Sequence, residues 1–122
     1  MPRMKRLYYE IINEVKRYVT IPIAVKIGYY FTSLAQSVQK LSESGINGLV
    51  LFNRPYNTDI DIEKIALAPG NIYSSDSEYN HTLRWISILS DKVGCDLSAS
   101  TGVHNYETVI KMLLAGASTV QL

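Results

Sequence analysis

Cysteine is nearly absent: Cys95 stands alone, which rules out an internal disulfide and suits a reducing, cytoplasmic setting. Charge imbalance is also missing. Twelve basic side chains face 11 acidic ones, so the chain offers no electrostatic footprint for nucleic acid or an acidic membrane surface. No apolar run reaches the roughly 18 residues of a membrane span. The opening "MPRMKRLYYEIINEVKRYV" is broken by Glu10, Asn13, Glu14 and Lys16, so it lacks the apolar centre of a signal peptide. There is no Cys/His cluster with metal-ligand spacing, no Walker motif and no GxGxxG. What is plentiful is apolar surface, 47% of residues, enough for one small core. The nine tyrosines are unusual but point to no single function.

Periodicity divides the chain into alternating elements. Residues 4–19 place Leu7, Tyr8, Ile11, Ile12, Val15, Tyr18 and Val19 on one helical stripe, ended by Thr20 and Pro22. "IPIAVKI" then reads as a strand with little polar alternation, as in a parallel sheet covered on both faces. A helix from Thr32 or Ser33 to Ser44 follows, with Leu34, Ala35, Val38 and Leu41 inward and Gly45 in a left-handed position after it. "LVLFN", residues 49–53, is a second apolar strand. Further on come a helix over 80–92 with Leu83, Ile86 and Leu89 inward, a strand "CDLSAS", a helix over 106–115 with Val109, Met112 and Leu113 inward, and the start of a strand, "STVQL".

Residues 54–79 interrupt this rhythm. Alternation in "DIDIEKIAL" predicts a small antiparallel hairpin, with Pro55, Pro69 and Gly70 at turns. The segment is too long for a plain connection and is expected to sit as an excursion on the C-terminal face of the strands. Asp59, Asp61 and Glu63 fall on one solvated face of it.

The order α-(βα)(βα)(βα)β implies parallel strands joined by right-handed crossovers. Four such strands suit an open sheet or half of a (β/α)8 barrel. The half-barrel is favoured, because a whole barrel needs about 250 residues and the first and last elements look cut from a larger pattern. Residues 1–122 then form a single partial domain. Its two open edges predict pairing with a second copy or with a missing N-terminal half-barrel, or else marginal stability.

In parallel α/β folds, ligands gather where strands end. Lys26 closes the first strand between Val25 and Ile27 and is expected to have a partner, either a carboxylate or a ligand. Asn53 closes the second; its amide suits a planar substrate edge or a turn cap. Arg54 is either an anion clamp or a solvated loop residue. "SASTGVHN" is a small-residue turn leading into a helix, with Gly102 permitting close backbone approach and Ser100 or Thr101 adding hydroxyls. His104 lies in a loop, His81 has no visible partner, and Cys95 falls at the strand end opposite the expected ligand rim.

The segments "IPIAVKIGYYFTSLAQSVQKLSESGINGLVLFNRPY" and "LSASTGVHNYETVIKMLLAGASTVQL" together resemble the C-terminal half of the dihydroorotate dehydrogenase-like flavoproteins, the FMN-dependent TIM barrels related to the class 1 enzymes. The resemblance runs over nearly the whole chain and implies barrel strands five to eight. It implies FMN as cofactor and dihydroorotate, or a similar cyclic molecule, as substrate. Lys26 matches the lysine that contacts the pyrimidine side of the flavin. Phe52 and Asn53 match the sixth-strand end, where the asparagine holds the substrate ring. Thr101 and Gly102 match the turn that binds the FMN phosphate. Arg54 replaces a common serine or threonine, and Thr101 replaces the first of two adjacent glycines. The family's catalytic base, a cysteine or serine after the fourth strand, is expected outside this chain, so no catalytic residue is assigned and the chain alone is expected to be inactive. The rival expectation is a self-associating half-barrel or small-ligand module without catalysis.

Overall fold

A computed structural model describes residues 3–122, with side chains from Arg6 onward. The basic opening at residues 1–5 therefore lies outside the described side chains.

Four strands form one sheet: β1 (Ala24–Ile27), β2 (Gly48–Leu51), β5 (Asp96–Ala99) and β6 (Thr119–Val120). They lie in the order β1-β2-β5-β6, all parallel. The helices are α1 (Arg3–Tyr18) before β1, α2 (Leu34–Ser42), α3 (Tyr79–Leu89) and α4 (Tyr106–Leu114). Strand order that follows chain order, with right-handed crossovers, sends every connecting helix to the same face. An open doubly wound sheet would reverse its order partway. The winding is that of half a (β/α)8 barrel, and the fold class expected from sequence holds.

Burial separates the two faces. Ile27, Leu49, Leu51, Leu97 and Ala99 are buried and pack with Val38 and Leu41 of α2, Ile86 and Leu89 of α3, and Met112 of α4. The other face carries Lys26, Val50, Ser98 and Thr119 in one register row. No described helix covers that row, although Val50 is itself buried between its neighbours. "IPIAVKI" is therefore apolar for one face only, and Lys26 is exposed rather than sandwiched.

Two helical stripes are only half used. In α1, Ile12 is buried while Leu7, Ile11 and Tyr18 are exposed. In α4, Thr108 and Met112 are buried, and Leu113, expected inward, is about half exposed. Ser33 occupies the start of α2 without a side-chain cap, whereas Asn105 caps α4 by accepting from the Thr108 N–H at 2.9 Å. None of the helices is long and apolar enough to cross a membrane among the described residues.

The excursion contains an antiparallel hairpin of β3 (Thr58–Asp61) and β4 (Ala66–Pro69), which forms its own two-stranded sheet. A single tight helical turn, Asp76–Glu78, leads from it into α3. Asp61 closes the hairpin by accepting from the N–H groups of Glu63 and Lys64.

Candidate functional site

The strand ends converge because the parallel ladder continues past the regular strands. Asn53 N–H donates to Ile27 O at 2.7 Å, Ser100 N–H to Leu51 O at 2.7 Å, and Gln121 N–H to Ala99 O at 2.8 Å. Residues just beyond each strand are thereby brought to one rim.

Lys26 reaches up from the uncovered face to this rim. Its Nζ donates to Ser100 Oγ at 3.2 Å and to Gln121 Oε1 at 3.3 Å. Both partners are neutral, so of the two expected kinds of partner a carboxylate is absent among the described residues. The physical reason is exposure: an ammonium that stays hydrated needs no counter-ion to balance a desolvation cost. The positive charge is held in position but not cancelled. One level lower, Ser98 Oγ is buried with no hydrogen-bond partner among the described residues.

Ser100 is fixed from behind. Thr82, buried in the first turns of α3, donates its hydroxyl to Ser100 O at 2.9 Å. The following turn has an unusual backbone: Thr101 has φ of 85° and Gly102 of 76°. A Cβ at Gly102 would collide with the backbone of Glu78 and Tyr79, so only glycine lets the turn approach α3. Thr101 adopts a left-handed conformation that costs a β-branched residue energy, and its Oγ1 donates to Phe52 O at 3.2 Å. The position where the resemblance implies a glycine thus keeps a glycine-like backbone here.

Gly102 N–H, a candidate anion donor, is engaged: it donates to Ser74 Oγ at 3.1 Å. Ser74 Oγ also lies 3.1 Å from His104 Nε2, with Asp76 Oδ1 4.0 Å from that same nitrogen. Serine and aspartate facing one imidazole nitrogen do not make a proton relay, which needs them on opposite nitrogens. A cavity of about 300 Å³ opens here, walled by Ser74, Ser100, Gly102, His104 and Gln121 among others.

Asn53 is exposed, and its side-chain amide makes no hydrogen bond among the described residues. Phe52 differs from expectation. Its side chain is 2% exposed and packs edge-on to Tyr29 at 5.8 Å and against His81 at 5.4 Å. What Phe52 offers the rim is its carbonyl, already accepting from Thr101.

Two residues have partners that sequence reasoning did not identify. Arg54 is neither a free clamp nor solvated: its Nε donates to Glu78 Oε1 at 2.8 Å, and its Nη1 donates to Asn71 O and Ile72 O at 2.9 and 3.1 Å. That bond holds the Glu78 carboxyl below its ordinary pKa. His81, assigned nothing from sequence, lies 4.7 Å from the Tyr29 ring in an edge arrangement. Burial, and secondarily the nearby Arg84 charge, push its pKa down. Neither role leaves a local sequence signal, because the contacts that define them join segments 17 or more residues apart. Cys95 is half-buried, with its thiol pushed up by burial and then by Asp96. An exposed, activated thiol would be shifted the other way.

Comparison with known proteins adds to this geometry. No protein-family model matches the chain. It is 31% identical, over 98% of its length, to the catalytic subunit of dihydroorotate dehydrogenase B (NAD(+)) from Saccharolobus solfataricus, covering 42% of that relative. The corresponding subunit from Thermoplasma volcanium is 26% identical over 95% of the chain, with 39% of its length covered. A mutant flavocytochrome b2 with pyruvate bound superposes with a TM-score of 0.59 at 24% identity, over 93% of this chain and 25% of that one. That structural likeness bears on the fold alone. The chain spans about two fifths of the length of the curated relatives it matches. Near end-to-end sequence likeness and a singly wound parallel sheet together make this chain similar to part of the dihydroorotate dehydrogenase-like flavoproteins.

Proposed function

We propose that the chain is the C-terminal, cofactor-holding half of an FMN-dependent oxidoreductase that acts on dihydroorotate or a similar cyclic substrate. The observation that carries this reading is the Lys26 ammonium. It stands uncancelled at the strand-end rim, braced by Ser100 and Gln121 and beside the Gly102 turn. A fixed cation among oriented hydroxyls and a backbone N–H suits a group that is anionic at one end and gains negative charge at the other.

On this reading, Lys26 would lie against the electron-accepting ring and would lower the energy of charge that builds there. Ser100, Thr101 and the Gly102 N–H would hold the phosphate. Ser74 then either yields that N–H or turns its own hydroxyl to the same anion. Asn53 presents a donor and an acceptor to the substrate ring. Phe52 acts from below, through its carbonyl and by packing under the rim. Bound FMN would supply the hydride acceptor. The proton removed from the substrate needs a base, and none is assigned here, since the family's base belongs to a segment outside the resemblance. Excursion residues 54–79 would roof the site. The expected partner is the N-terminal half-barrel.

The test is FMN titration of the purified chain, followed by flavin fluorescence, and then anaerobic addition of dihydroorotate. Saturable binding weakened by Lys26→Ala, without flavin reduction, is the expected result. A colourless chain that ignores FMN would sink the cofactor assignment, and turnover at ~1 s⁻¹ or faster would sink the predicted inactivity.

A second reading is favoured by one specific observation. Besides the uncovered sheet face, α1 and α4 leave apolar residues exposed, including Leu7, Ile11, Ile110 and Leu114. A self-associating half-barrel would cover them with a second copy. Sedimentation of a flavin-free chain as a stable dimer would support it.

A further inference from the structure

The buried stripe of α3 consists of Thr82, Ile86 and Leu89, at helical spacing along one face. Ile86 and Leu89 are aliphatic, and a valine would have the shape for the first position. Thr82 instead carries a hydroxyl into a place only 2% exposed, which costs stability unless that group is bonded.

Its bond shows what the hydroxyl does. In a parallel ladder a residue turns its N–H and its carbonyl to the same neighbouring strand, meeting positions two apart on it. Ser100 N–H donates to Leu51 O, so a regular ladder would bring Asn53 N–H to Ser100 O. Asn53 N–H points the other way, to Ile27 O at 2.7 Å. Ser100 O is left to α3, where the Thr82 hydroxyl donates to it at 2.9 Å. No other donor reaches that carbonyl among the described residues.

The rim depends on this carbonyl. Its peptide leads into the left-handed turn of Thr101 and Gly102, which meets α3 a second time where Gly102 lies against Glu78 and Tyr79. Ser100 also holds the Lys26 ammonium through Oγ, at 3.2 Å. Thr82 itself is not bonded to Lys26 and does not wall the cavity beside it.

We propose that Thr82 is a positioning residue for the rim cation: by gripping the Ser100 carbonyl, it fixes the hydroxyl that holds Lys26. The inference deepens the flavin reading and rests on it for its functional consequence, because a cation stabilises charge on a ring best from a fixed position. A clamp that only joined α3 to β5 would stabilise the fold and leave the ammonium as it was.

The test uses the full chain with Thr82→Val, which keeps the shape and loses the donor, Thr82→Ser, which restores the donor, and Lys26→Ala. Nitrogen NMR relaxation of the lysine ammonium groups reads the first step without flavin. Lys26 should be ordered in the unaltered chain, lose that order in Thr82→Val and regain it in Thr82→Ser. The ammonium of Lys16, bonded to Ser44 O at 3.2 Å before β2 begins, is the control and should not change. FMN titration reads the second step. Thr82→Val should weaken binding by up to about tenfold, the size of one lost hydrogen bond, and should add nothing once Lys26 is already alanine. An unchanged Lys26 ammonium, equal loosening of Lys16, or additive losses in the double variant would each overturn the proposal. A chain that ignores FMN in every form defeats the flavin reading, and the ammonium measurement then decides this inference alone.

Discussion

Every residue of β2 is buried, whereas none in β3 or β4 is. The hairpin even displays Ile62, Ile65 and Leu67 at 79% exposure or more. The sheet is held by apolar packing against one layer of helices. The excursion that rises from the end of β2 is held by polar ties: Arg54 to Glu78 and to the carbonyls of Asn71 and Ile72, and Ser74 to Gly102. Packing is dispersed over many contacts, so the sheet should unfold as a unit. A few directional bonds can break singly, so the excursion should open without it.

The largest effect expected from this contrast is Leu51→Ala. Leu51 is fully buried in the cluster shared by β2 and the helices, and its truncation should cost about 2–5 kcal/mol in denaturant unfolding. Ile65→Ser, at the exposed hairpin, should change stability by less than about 0.5 kcal/mol. Comparable losses at both positions would erase the distinction.

Next comes Arg54→Ala. It removes three hydrogen bonds and leaves a partly buried carboxylate, a local cost of about 1–3 kcal/mol. Amide exchange should quicken across the excursion and stay slow in β2 and β5. Uniform acceleration through the whole chain would show that the two regions are one cooperative unit.

Acid should act on the same tie more gently. Arg54 holds the Glu78 pKa below its ordinary value of 4.5, so the unfolded chain takes up this proton first. The pairing contributes fully above the ordinary value and is lost as pH falls through the lowered one. Protection of the excursion's amides, relative to their intrinsic exchange at each pH, should therefore fall on acidification below that point. Glu78→Gln should remove this part of the dependence, leaving whatever Asp61 adds at the hairpin turn.

The smallest effect is expected at the junction of the two regions. Thr101→Gly relieves a left-handed β-branched residue but gives up the bond to Phe52 O. It should therefore raise the melting midpoint by no more than about 1 kcal/mol of stability. A loss of several kcal/mol would mean that the hydroxyl, rather than the backbone shape, sets the turn.

The two regions were also unequally legible in the sequence. The strands and helices announced themselves through apolar spacing, and the expected boundaries fall within a few residues of those observed. "DIDIEKIAL" likewise signalled a hairpin. Spacing could not reveal which apolar stripe lacks a neighbour, so Leu113 and the outer residues of α1 were expected inward. The placement of Lys26, Asn53 and Gly102 at one rim was legible because strand ends in parallel folds point the same way. The neutral partners of Lys26, the burial of Phe52 and the anchoring role of Arg54 were not. Each is decided by where residues 70–104 return in space, and local pattern carries no record of that.

One guanidinium ties three points of the excursion together. Arg54 and Glu78 are 24 positions apart, so their contact closes a long span at its base, much as a keystone locks an arch. With the stone in place, the span would, on the proposed reading, roof the mouths of the strands. With it removed, the same residues become a tether, and how quickly molecules enter and leave would be set by a swinging arm.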